Sequence, residues 1–154
     1  MNQANSAGEE TILIVDDEEV NRAILSNLFC TQYTILEAAD GLEGLSVIES
    51  CGDSLRAILL DVVMPRMDGI QVLRKLHASG LTSRVPVFLI TAEAGGSTMR
   101  EAYELGVMDV IFGLAATSRP AQSSRAGAQR LTRAAHWAVP VGNLSPRTII
   151  RGAS

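Results

Sequence analysis

The chain has 154 residues, 47% hydrophobic and 19% charged, with a formal net charge of −4. That is enough for one domain with its own core, and too apolar for a disordered chain. No apolar run approaches the roughly 18–20 residues of a membrane-crossing helix, and the polar start, Met1 to Glu10, lacks the basic opening and apolar stretch of a signal peptide.

A flexible segment is expected over residues 1–10. Thr11-Ile-Leu-Ile-Val15 is a short β-branched run, the pattern of a strand buried on both faces. It stops at Asp16-Asp17-Glu18-Glu19, acids that favour the first turn of a helix. Apolar residues at Val20, Ile24, Leu25, Leu28 and Phe29 follow at helical spacing. Tyr33 to Ala38 reads as a second strand, and Asp40-Gly41 opens a helix carrying Leu42, Leu45, Val47 and Ile48. Ala57-Ile-Leu-Leu60 is a third strand, again ending in an acid, Asp61. The loop Met64-Pro65-Arg66-Met67-Asp68-Gly69 supplies turn and helix-start chemistry for a helix with Ile70, Val72, Leu73 and Leu76. Pro86 to Thr91 is a fourth strand, residues 97–105 a helix closed by Gly106, and Val107 to Phe112 a fifth strand. Cys30 and Cys51 fall at helix ends without metal-type spacing and read as two reduced thiols, so a cytoplasmic protein is expected.

Strands alternating with helices predict an α/β, doubly wound, five-stranded parallel sheet with helices on both faces. Right-handed crossovers favour the strand order 2-1-3-4-5. The carboxyl ends of the strands are then the functional edge, and Asp16, Asp17, Asp61 and Thr91 all land there. Taken singly, Asp16 and Asp17 suit a helix start, Asp61 a loop acid and Thr91 an ordinary strand end. Their joint placement points to a site. Three converging anions repel one another, and a hard divalent cation such as Mg2+ removes that cost. A carboxylate beside such an ion is a nucleophile for phosphorus, and the Thr91 hydroxyl can meet a phosphoryl oxygen.

These residues carry a family resemblance. Ile-Val-Asp16-Asp17-Glu18, Leu-Leu-Asp61-Val-Val-Met-Pro65-Arg-Met-Asp68-Gly69 and Thr91-Ala92, in that order, resemble the receiver domains of bacterial response regulators over residues 11–112. The resemblance implies that Asp61 takes a phosphoryl group from a sensor histidine kinase, a phosphotransfer protein or a small phosphodonor. It implies Mg2+ held by Asp17, Asp61 and the Val63 carbonyl, with Asp16 helping through water. Thr91 would be the switch hydroxyl, and Val63 and Glu93 the positions that tune dephosphorylation. The partners implied are the kinase and an output domain or downstream protein, with no membrane and no direct nucleic-acid contact.

The chain departs from that family at its end. A lysine and a proline are expected after the fifth strand, where Gly113 and Leu114 stand, and the aromatic three places before that lysine is Val110. The lysine's absence leaves phosphoryl charge on Asp61 uncompensated, which puts signal transmission in doubt. Composition breaks at the same point. Residues 1–112 hold all 17 acids and seven basic residues, a net of −10; residues 113–154 hold six arginines with neither acid nor lysine, a net of +6. Ordinary usage would give that stretch about four or five acids. The expectation is a basic low-complexity tail from a shifted reading frame or a comparable truncation, with the last helix missing or replaced. Ala128, Leu131, Ala135 and Ala138 form a thin apolar stripe for a makeshift helix.

Two function classes remain open: a phosphorylatable receiver, and a pseudo-receiver that docks partners without phosphorylation, favoured by Gly113. An enzyme is not expected. A dehalogenase-type phosphatase needs a second acid where Val63 stands, and a flavin-binding loop would not present Asp16, Asp17, Glu18 and Glu19 to a phosphate.

Overall fold

The computed structural model describes residues 10–92 and 95–112, apart from the side chain of Asp53. Its strands are β1 (Thr11–Val15), β2 (Thr34–Ala38), β3 (Leu55–Asp61), β4 (Val87–Thr91) and β5 (Asp109–Phe112). Its helices are α1 (Glu19–Phe29), α2 (Gly41–Cys51), α3 (Gly69–Ala78) and α4 (Gly96–Glu104). The strands form one parallel sheet in the order β2-β1-β3-β4-β5, as expected.

The sheet divides the core into two layers because side chains alternate across a strand. Leu13, Val15, Ile58, Leu60, Val87, Leu89 and Val110 face one way, against Ile48 of α2, Ile70, Val72, Leu73 and Leu76 of α3, and Ala102 of α4. Ile12, Ile14, Ala57, Leu59, Phe88, Ile90 and Ile111 face the other way, where Leu25 and Phe29 of α1 meet them. Central β1 and β3 are apolar on both faces, which is why their sequences run without alternation.

Element bounds differ from the sequence reading by one residue at β2, β4 and α4 and by two at the starts of β3 and β5. The third strand starts at Leu55, two residues early, because the parallel ladder to β1 tolerates charged Arg56 at an irregularity between Thr11 and Ile12. Gly52–Ser54 and Leu81–Ser83 form short 3-10 turns without an apolar signature. The fifth strand starts at Asp109 rather than Val107. Gly106 takes φ 88 as predicted for a helix end, and the Val107 amide still donates to Ala102 O at 3.1 Å, so the chain extends only afterwards. The readings for residues 1–9, Glu93, Gly113 and the tail to residue 154 lie outside the described residues.

The start of α3 is a capping box: the Gln71 amide donates to Asp68 Oδ1 at 2.8 Å, and the Asp68 amide donates to Gln71 Oε1 at 3.0 Å. Asp68 and Gly69 therefore do the helix-start work read from the sequence. Asp68→Ala is expected to cost about 1 kcal/mol, read as a lower urea midpoint with an unchanged slope.

Candidate functional site

The site lies where β1 and β3 end side by side, with Val15 in register with Leu60. Asp16 continues the line of β1: its amide donates to Ala38 O at 3.1 Å. The chain then turns into α1, and Asp16 Oδ1 accepts the Glu18 amide at 2.8 Å. Arg22, one turn into α1, donates to the Asp16 carbonyl at 2.7 Å. Asp16 is thus buried and anchored on three sides, and Asp17, next to it, is exposed. Neither is the cap of α1. Glu18 holds the cap position and Glu19 supplies the first-turn acid, so the helix-start alternative for Asp16 and Asp17 falls away.

Asp61 is the last residue of β3, opposite Ile90. Behind it the loop doubles back: the Gly69 amide donates to Val62 O at 2.8 Å, and Gly69 lies directly on the Asp61 carbonyl. A Cβ at position 69 would sit 2.1 Å from that oxygen. Only glycine permits this approach, which explains the glycine eight residues after the strand-end acid.

Carboxylate oxygens of Asp16, Asp17 and Asp61 all come within 4.8 Å of one another. The electrostatic cost is visible in the acids themselves. Burial first, then the charge of Asp16 and to a lesser degree Asp17, pushes the Asp61 carboxyl up to about 7, against hydrogen bonds from the Val63 and Val62 amides. Burial likewise pushes Asp16 up, opposed by the Glu18 amide and the Asn21 side chain. Three oxygen donors that repel one another at this spacing fit a hard divalent cation.

Thr91 ends β4, buried, on the strand beside β3 at the same sheet edge. Val63 lies in the loop two residues past Asp61 and is 72% exposed. Sequence reasoning missed Asn21 and Arg22, which fasten Asp16 from α1; they sit five and six residues away without a motif. It also missed the ion pair between Arg66 and Asp40, which ties the loop after β3 to the start of α2.

Comparison with known proteins bears on this site. The family model described as "Response regulator receiver domain" matches residues 12–114. The Caulobacter vibrioides protein named "Response regulator PleD" is 40% identical over 101 residues, 65% of this chain and 22% of that protein. The match spans between 22% and 42% of the length of such curated relatives. Among solved structures, the Mn2+-bound form of response regulator Rcp1 aligns with TM-score 0.69 at 21% identity, covering 88% of this chain and 97% of that one. The CheX-CheY-BeF3-Mg+2 complex from Borrelia burgdorferi aligns with TM-score 0.68 at 24% identity, covering 85% and 90%. At such identities the two structures establish the fold alone.

Proposed function

The chain belongs to the response regulator receiver domain family of two-component systems, and from that premise we propose that Asp61 is a phosphoryl acceptor that works with Mg2+. The observation that carries the reading is the meeting of three carboxylates within 4.8 Å, with the Asp61 carboxyl pushed up to about 7. The acids at 16, 17 and 61 and the Val63 carbonyl would hold the ion. When bound, it supplies positive charge that keeps Asp61 ionised and offsets charge gathering on the transferred group.

In this proposal the chain's own groups do the rest. Ionised Asp61 attacks phosphorus with a carboxylate oxygen, and the donor's bond to phosphorus breaks as the acyl phosphate forms. The donor is the phosphohistidine of a sensor kinase or of a phosphotransfer protein, whose imidazole leaves with the electron pair. The Val62 and Val63 amides and the Gly69 contact keep Asp61 aimed outward, so little reorganisation precedes attack. Thr91 offers its hydroxyl from the next strand. The phosphoryl group ends on the chain's own side chain, so the chain is read as a signalling acceptor rather than an enzyme that turns over a substrate, and its function lies in what the mark changes downstream. The cytoplasm is the proposed compartment, in keeping with the free thiols of Cys30 and Cys51; no described helix is long and apolar enough to cross a membrane.

The test is incubation with acetyl phosphate and Mg2+, followed by intact-mass measurement. A gain of one phosphoryl group that disappears with EDTA is the expected result. The second reading, a docking module that works without phosphorylation, is favoured by Gly113 at the position of the expected lysine. An unchanged mass would select it.

Proton and cation compete for Asp61, so Mg2+ affinity should depend on pH. With a folded-state value of about 7 against an ordinary 3.8, Asp61 is mostly protonated at pH 6 and mostly ionised at pH 8. The expected affinity falls up to about tenfold per pH unit below 7 and is flat above it, read by titration calorimetry. Stability without metal runs in the opposite direction. A raised carboxyl favours the fold while protonated, and that contribution is lost as pH rises from about 4 through about 7.

A further inference from the structure

The loop between β3 and α3 is pinned at both ends: the Val62 amide donates to Ile90 O at 3.3 Å, and the Gly69 amide returns to Val62 O at 2.8 Å. At the apex the Met67 amide donates to Pro65 O at 2.7 Å across Arg66, which adopts φ 67. A hydrogen bond closed over one left-handed residue is the rarer, strained form of the γ-turn. Among the described residues, Arg66 is the only non-glycine with positive φ. Such a conformation persists only where neighbouring structure holds it. Here the neighbour is the start of α2. Arg66 Nη2 donates to Asp40 Oδ2 at 2.5 Å, while Asp40 Oδ1 caps α2 by accepting the Glu43 amide at 2.9 Å. A Cβ at Gly41 would lie 2.8 Å from the Met67 carbonyl oxygen, so helix and turn are in direct contact.

We infer that Arg66 is a positioning residue for the metal site: its ion pair with Asp40 holds the strained turn, and through the turn the Val63 carbonyl, where the cation needs it. Val63 lies two residues after Asp61 and three before Arg66, between the pinned strand end and the held apex. Val63 is exposed, so its own side chain does not fix its backbone. The inference rests on the Mg2+ reading above and extends it to two residues that are not among the proposed ligands. Asp40 is buried and Arg66 is open to solvent, and a pair exposed on one side adds little to overall stability. Its effect belongs in ion binding. Charge alone would act with opposite signs: loss of a nearby cation strengthens Mg2+ binding, and loss of a nearby anion weakens it. A tether weakens binding whichever partner is removed.

Titration calorimetry with Mg2+ on the full chain, Arg66→Ala, Asp40→Ser and the double variant tests it. Serine keeps the α2 cap but is too short to serve Arg66 as well. Each single variant is expected to bind Mg2+ about tenfold more weakly, and the double variant no more weakly than either, because both remove one interaction. In metal-free protein, amide hydrogen exchange over residues 62–68 should quicken in each variant and stay at the parent's rate over β1, which shows the fold intact. Arg66→Gly, which removes the ion pair and the backbone strain together, should melt above Arg66→Ala yet bind Mg2+ as weakly. Tighter binding by Arg66→Ala, additive losses in the double variant, or unchanged affinity throughout would overturn the inference while leaving the metal site in place. A parent chain that binds no Mg2+ would overturn the metal reading itself, and the inference with it.

Discussion

Asp61→Asn is expected to abolish phosphoryl uptake entirely while making the metal-free protein more stable. The loss follows from chemistry: a neutral amide has no carboxylate oxygen to attack phosphorus, and none of the neighbouring acids ends β3 on the Val62 and Val63 amides as Asp61 does. Removing one of three anionic donors should also weaken Mg2+ binding, by more than the roughly tenfold to hundredfold that loss of an outer-sphere partner costs. The gain in stability follows from the site's cost. Above pH 7 the folded protein must hold Asp61 ionised while half-buried and facing Asp16 and Asp17. The shift from 3.8 to about 7 sets an upper limit on that penalty; discounting for solvent screening leaves about 1–2 kcal/mol. The variant's melting temperature at pH 8 in EDTA should therefore exceed the parent's. Failure to gain mass could not then be blamed on unfolding. A mass gain in Asp61→Asn would remove Asp61 from the acceptor role.

Gly69→Ala should be the most damaging small substitution near the site. The added Cβ would lie 2.1 Å from the Asp61 carbonyl oxygen and 2.9 Å from both the Asp61 carbonyl carbon and the Val62 Cα. All three are backbone atoms, at the last residue of β3 and the residue after it, so no side chain can swing aside. Relief requires moving the loop, which breaks the Gly69 amide to Val62 carbonyl bond, or moving the end of β3, which displaces Asp61. A cost of about 3 kcal/mol or more is expected, read as a urea midpoint shift. The same variant should also take up phosphate more slowly from acetyl phosphate in whatever fraction stays folded, because Asp61 loses its aim.

The strands were legible because burial on both faces of a parallel sheet leaves continuous β-branched runs, as in Thr11-Ile-Leu-Ile-Val15. The convergence of Asp16, Asp17 and Asp61 was legible for a related reason: strand order places the ends of β1 and β3 side by side, and each run ends in acid. Legibility failed where a charge interrupts a run, as at Arg56 in β3, or where a helix end unwinds slowly, as at Val107. It failed too for contacts between side chains that no motif links, near or far in sequence. Asn21 and Arg22 serve Asp16 through the turn into α1, and Arg66 reaches Asp40 across 26 residues. Arg66 adopts φ 67, a left-handed conformation that its residue type does not announce.

The partition of the core by the sheet has a consequence for how damage spreads. Leu73 of α3 and Phe29 of α1 belong to separate packed layers with β-strands between them. Distant residues without shared neighbours respond independently, so truncations on opposite sides should sum in their effect, whereas two on one side should interact. The strands thus act as a bulkhead: a void opened beneath α3 is sealed off from the compartment beneath α1. Asp61, the last residue of β3, sits at the rim of that wall.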